Sequence, residues 1–202
     1  MADKAINLPK ALLAGLRVRY AEPQRHYHTW AHISALKLHY DRYAPYFARP
    51  AAVLWALYWH DAIYDPMAKD NEEQSAVLLE ADAAGHLPAE DVAFAAMMIR
   101  ATAKHLVPDG LMPDDKADLS LFLDMDLSIL GAPPPVFDQY ERDVRAEYAA
   151  VPDDAFRKGR AAILKNFLDR PRLYFTNICA ARWEAAARDN LARSIAALEA
   201  DV

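Results

Sequence analysis

Residues 50–59, PAAVLWALYW, constrain this chain more than any other stretch. Read as a helix opened by Pro50, the segment is apolar all round for two turns. A helix with no polar face has to be wrapped by other elements and belongs at the centre of a core. It continues through HDAIY, so the predicted third helix spans 50–64 and ends on an adjacent imidazole and carboxylate, His60 and Asp61. Both are good metal ligands, and both are costly to bury without partners.

The wrapping elements also read as helices. The chain has only five glycines in 202 residues and is rich in Ala and Leu, which favours helix over sheet. Pro-marked breaks divide it. A first helix is expected over 9–20, and a second from the Thr29 cap to about Phe47. A helix from 72 follows, with Asn71 as N-cap and Gln74 closing a capping box. Another covers 89–105. One around KADLSLFLDMDLSIL stops at Gly131 as a C-terminal cap, and helices near 136–151, 153–169 and 177–200 complete the chain. No repeat, low-complexity stretch or long linker divides domains. The expectation is an all-α, single-domain helical bundle over 1–202.

The net charge of −6 argues against general binding to nucleic acid or an anionic membrane surface. It leaves room for a small anionic substrate held by a few local cations. Cys179 is the single cysteine, which excludes an intrachain disulfide and a thiolate metal cluster. MADKAINLPKALLAGLRVRY lacks the apolar core and cleavage site of a signal peptide, and no apolar run approaches the roughly 20 residues of a bilayer span. A cytoplasmic protein is expected; a homodimer is left open.

Partners for His60 and Asp61 come from two other segments. YHTWAHI carries His28 and His32 at i, i+4 spacing, with His32 beside Leu36, His39 and Tyr43 on one face. In LSLFLDMDLSILG, residues Leu119, Phe122, Leu123, Leu127 and Leu130 form a stripe at helical spacing. Asp126 falls near its middle, whereas Asp124 points away and reads as ordinary surface. A carboxylate in a core-facing stripe is expensive unless it is paired or bound to a cation. His32, His60, Asp61 and Asp126 therefore form a candidate mixed N/O site for one divalent ion (Mn, Fe, Co, Ni, Zn or, less comfortably, Mg) with positions left for water and substrate.

The ordered set H…HD…D, with HYHTWAHI, WHDAIYD, NEEQSA, FLDMDLSILG and RAEY, resembles the HD-domain superfamily of metal-dependent phosphohydrolases. Within it, the chain resembles a bacterial subgroup described as predicted HD phosphohydrolases, over about residues 20 to 195. The resemblance implies an HD-type helical fold and hydrolysis of a phosphoester of a small phosphorylated metabolite, a nucleotide foremost, by a metal-activated water. The superfamily also includes oxygenases. A di-iron oxygenase and a nucleotide-sensing domain without turnover are the alternatives.

Asp61 would be ligand and orienter of the water, with Glu72 and Glu73 as candidate general bases; compensation of the helix dipole is the competing reading for that pair. Phosphate binding needs cations, and Arg25, Lys104, Arg145 and Arg160 are available, with His28 and His105 as further candidate substrate contacts. Arg145 in RAEY and Arg160 in KGR match positions typical of the subgroup. His86 and His105 stand apart from one another, which departs from a binuclear pattern and favours one metal.

Overall fold

The computed structural model describes residues 8–200; the first seven residues of the amino-terminal segment read above for a leader lie outside them. Among the described residues the chain is all-helical, with no β-strand. The helices are α1 (Lys10–Arg19), α2 (Trp30–Tyr43), α3 (Pro50–Trp59), α4 (Asn71–Ala83), α5 (Ala89–Thr102), α6 (Pro113–Asp126), α7 (Pro134–Glu147), α8 (Asp153–Leu168) and α9 (Asn177–Glu199). No helix among them is long and apolar enough to cross a membrane. Two compact units are present, Met1–Phe122 and Leu123–Val202, and the boundary falls inside α6.

In the first unit α3 is the hub, packed by α2, α4 and α5. Every residue from Ala52 to Leu57 is buried, as is Trp59, so the apolar run lies where its composition demands. Trp55 stacks on Trp59, whose indole N–H donates to Asp82 at 2.9 Å. The entrance to α3 is held from α6: the buried Asp118 carboxylate accepts from the Ala48 and Arg49 N–H groups at 2.9 and 2.8 Å.

α3 is shorter than expected. It ends at Trp59, with His60 as its C-cap, and not at residue 64. The chain leaves the helix there because the next groups are claimed by other elements. Ile63 exchanges both of its main-chain hydrogen bonds with the Ser75 hydroxyl of α4, donating at 3.0 Å and accepting at 3.3 Å. Thr29 caps α2 as expected, accepting from the Ala31 N–H at 3.3 Å. Asn71 does not cap α4. It is the first helical residue, and its amide clasps Asp65, accepting from that residue's N–H at 3.0 Å and donating to its carbonyl at 2.8 Å. The expected capping box is replaced by a Gln74–Asp70 contact of 3.1 Å.

In the second unit α8 packs on α9, and the 3-10 turn Leu127–Gly131 packs on both α7 and α9. Gly131 is required there by space, not by a left-handed backbone. A Cβ at this position would lie 2.5 Å from the Trp183 Cβ and 2.9 Å from its carbonyl oxygen. The assignment of Asp124 to the surface is also overturned. Asp124 is fully buried and holds the residues that lead into α9, whereas Asp126 is half-buried. One Asp124 oxygen accepts from the Phe175 N–H at 2.7 Å; the other accepts from the Thr176 N–H and hydroxyl at 2.8 and 2.6 Å. Thr176 in turn caps α9 through the Cys179 N–H. Cys179 itself is buried, as expected of a small packed side chain.

Candidate metal centre

Three sequence-predicted ligands converge in the first unit. The Nε2 atoms of His32 and His60 are 3.1 Å apart, and Asp61 Oδ2 lies 3.0 Å from His60 Nε2 and 3.7 Å from His32 Nε2. Both imidazoles are buried and the carboxylate is half-buried. His32 comes from the first turn of α2, where Ile33, Leu36, Tyr40 and Tyr43 bury the same side of the helix. His60 and Asp61 come from the exit of α3.

The orientation of His60 is fixed by its second nitrogen. Its Nδ1 lies 2.9 Å from the Leu57 carbonyl, one of the carbonyls left without an intrahelical partner at the end of α3. An Nδ1–H donating there directs the Nε2 lone pair toward His32 and Asp61. The Phe122 ring meets the His60 imidazole edge-on, with centroids 6.1 Å apart. Burial alone would raise the Asp61 pKa. The His60, His28 and His32 imidazoles outweigh it and hold the carboxyl well below the usual carboxylate range.

The spacing of these three atoms fits a common cation. Ligands about 2.1 Å from one ion stand about 3.0 Å apart at a right angle and about 3.4 Å apart at a tetrahedral angle. The observed separations of 3.0, 3.1 and 3.7 Å bracket those values. Two imidazoles and one carboxylate suit a first-row divalent ion, and three protein ligands leave coordination positions open.

The other candidates fall into groups. His28 lies beside the centre, although it precedes the α2 cap and does not share a helical face with His32. Its ring is 6.3 Å from the His32 ring and stacks on Tyr64 at 4.2 Å. Tyr27 lies 4.9 Å from the His32 ring. Glu72 and Glu73 open α4, which Asn71 and Ser75 tie to the segment following Asp61. Glu73 is exposed and committed elsewhere, accepting from Arg100 Nε and Nη2 at 2.7 and 2.8 Å. That hydrogen-bonded pair lowers its pKa below the ordinary value. Glu72 is half-buried and forms no ion pair with a described residue. Lys104 is exposed and His105 half-buried just past the end of α5, His105 at a positive φ of 46°.

Asp126, Arg145 and Arg160 belong to the second unit. Asp126 is the last residue of α6. Arg145 donates to Asp153 at 3.2 Å and to the Tyr148 and Val151 carbonyls at 2.8 and 3.2 Å, closing the turn between α7 and α8. It lines a cavity of about 370 Å³ with Arg142, Arg157 and Arg193. The carboxylates of that cavity are all engaged: Asp138 by Arg193, Asp153 by Arg145 and Glu141 by Arg160. Arg160 also donates to the Tyr140 hydroxyl at 2.7 Å.

Arg25, a candidate phosphate ligand by sequence, has another role. Its side chain is fully buried and spent on the main chain around the centre. No protein-family model, curated protein or solved structure matches the chain.

Proposed function

We propose that this chain binds one divalent metal ion through His32, His60 and Asp61 and hydrolyses a phosphoester of a small metabolite, a nucleotide foremost. The observation that carries the proposal is the convergence of three ligand atoms from two separate segments, at separations of 3.0 to 3.7 Å, with both imidazoles buried. Asp126 is included as a fourth ligand on its sequence position alone, and the assignment to phosphoester chemistry rests on the HD-type resemblance.

When bound, the ion would supply a nucleophilic water at neutral pH and polarise a phosphoryl oxygen. The residues have separate tasks. His60, anchored on the Leu57 carbonyl, presents a lone pair without reorienting, and His32 does so from the rigid first turn of α2. The depressed pKa of Asp61 keeps the carboxylate ionised throughout the neutral range, as a ligand and as a hydrogen-bond acceptor for the attacking water. Glu72 is the better placed of the two candidate bases, because Arg100 holds the Glu73 carboxylate. His28, stacked on Tyr64 beside the centre, is positioned to donate to a substrate oxygen.

The test is metal-supplemented hydrolysis of a panel of nucleotides and sugar phosphates by wild type and Asp61→Ala. Metal-dependent phosphate release lost in the variant supports the proposal. Bound metal without turnover on any member would favour the sensing or oxygenase alternatives.

A further inference from the structure

The stretch preceding the first histidines straps the exit of α3. Tyr20 donates through its hydroxyl to the Tyr58 carbonyl at 3.0 Å, and Gln24 Nε2 donates to the Tyr64 carbonyl at 3.3 Å. Between them, Arg25 makes the densest set of contacts. Its Nη1 donates to the Asp61 carbonyl at 2.7 Å and the His28 carbonyl at 3.0 Å; its Nη2 donates to the Ala62 carbonyl at 3.1 Å. Nε donates to Glu22 at 3.0 Å, and the Tyr20 and Tyr64 rings flank the guanidinium with centroids 5.1 and 5.3 Å from Cζ. The Arg25 side chain is 0% exposed.

We propose that Arg25 is the positioning residue of the candidate metal centre, a clamp that sets the separation of the His28–His32 and His60–Ala62 segments. The inference rests on the metal reading proposed above. A buried guanidinium is costly, and here its charge faces one half-exposed carboxylate and three neutral carbonyls. Those carbonyls belong to residues 61, 62 and 28, which is to say to a ligand, its neighbour and the residue four positions before the other ligand-bearing position. Arginine can do this because its planar fork presents several donors in fixed directions. A lysine ammonium at the end of a flexible stem cannot hold the same three acceptors. Arg25 binds the main chain of Asp61 and leaves the Asp61 carboxylate to the histidines.

Loss of the clamp is expected to loosen the centre without dismantling the fold. Outer partners of metal ligands typically change affinity by about 10–100-fold. The experiment compares wild type, Arg25→Lys and Tyr20→Phe, the last removing a strap hydrogen bond that touches no ligand residue. Mn²⁺ affinity is measured by calorimetry, and amide hydrogen exchange is followed in the metal-free proteins. Arg25→Lys is expected to weaken Mn²⁺ binding at least about tenfold and to speed exchange over residues 60–63 while α4 and α5 keep their protection. Tyr20→Phe is expected to leave the affinity unchanged.

Unchanged local exchange in Arg25→Lys overturns the clamp. So does a uniform rise in exchange over the whole unit with unchanged affinity, because the role is then general stability. Should Arg25→Lys fail to fold, Glu22→Ala removes the carboxylate that accepts from Arg25 Nε and Gln24 Nε2 and is expected to give the same local pattern at smaller amplitude. If wild type binds no divalent ion while local exchange still rises, the metal reading fails and the clamp on the backbone stands.

Discussion

Asp124→Ala isolates the carboxylate that ties the start of α9 to the end of α6. The Asp124 oxygens accept from the Phe175 N–H, the Thr176 N–H and the Thr176 hydroxyl, and the Cys179 thiol is a further donor. Alanine leaves the two main-chain donors without their acceptor and releases the hydroxyl that caps Cys179. Hydrogen bonds to a charged group contribute about 1.5–3 kcal/mol each. Part is returned, because burial is the leading influence on Asp124 and raises its pKa, so removing the carboxylate relieves a desolvation cost. The net loss is then about 3–4 kcal/mol, within the range for stripping one partner from a buried charged contact. For a chain of this size it corresponds to a fall in Tm of about 6–16 °C. Thermal unfolding followed by circular dichroism at neutral pH reads it directly. A loss below about 1 kcal/mol would refute the reasoning, since solvent would then be replacing these bonds at no cost.

Gly131→Ala is expected to cost about 1–3 kcal/mol by overpacking, because the new Cβ meets the Trp183 Cβ and backbone, which are fixed to the helix, and not the far end of a side chain that can swing away. Gly159→Ala in α8, where nothing lies within 4 Å of the added Cβ, is expected to stabilise by about 0.5–1 kcal/mol in the same melt. Glu72→Gln is expected to lower kcat about 100-fold or more, with Glu73→Gln close to wild type; the reverse order in steady-state kinetics would move the base to Glu73. The Glu73 carboxyl, whose pKa is lowered by its Arg100 hydrogen bonds, contributes stability that is present above the ordinary Glu pKa and lost as pH falls through the lowered value. Arg100→Gln is expected to return that titration to the ordinary range, as read by side-chain carbon NMR; an unmoved titration would show that the pair does not persist in solution.

The candidate metal ligands of the first unit were legible because their signal is local and costly. Polar groups on an otherwise apolar run such as 50–60 need a reason, and His32 lies on the same face as Leu36 and Tyr43. Where the sequence misled, it did so through geometry that a stripe cannot carry. Residues 118–125 are all buried, so α6 has no polar side there from which to tell an inward carboxylate from an outward one. The acceptor needed by Thr176 lies 52 positions away, and only the fold brings Asp124 to it. Asn71 sits where a cap would, but its amide finds the Asp65 main chain first. Arg25 illustrates the same limit: a lone cation in AEPQRHYHT resembles a phosphate ligand until the carbonyls of residues 61 and 62 are placed against it. Its position three residues before His28 was the available signal, and its partners were not.

The central claim is that His32, His60 and Asp61 hold a metal ion. The most direct measurement is metal content by mass spectrometry after Mn²⁺ or Zn²⁺ loading and desalting, for wild type and for His32→Gln, His60→Gln and Asp61→Asn, each checked for a wild-type circular dichroism spectrum. The expected result is one ion per wild-type chain and loss of that ion in each folded variant. No bound ion in wild type, or full occupancy in variants lacking these ligands, would contradict it.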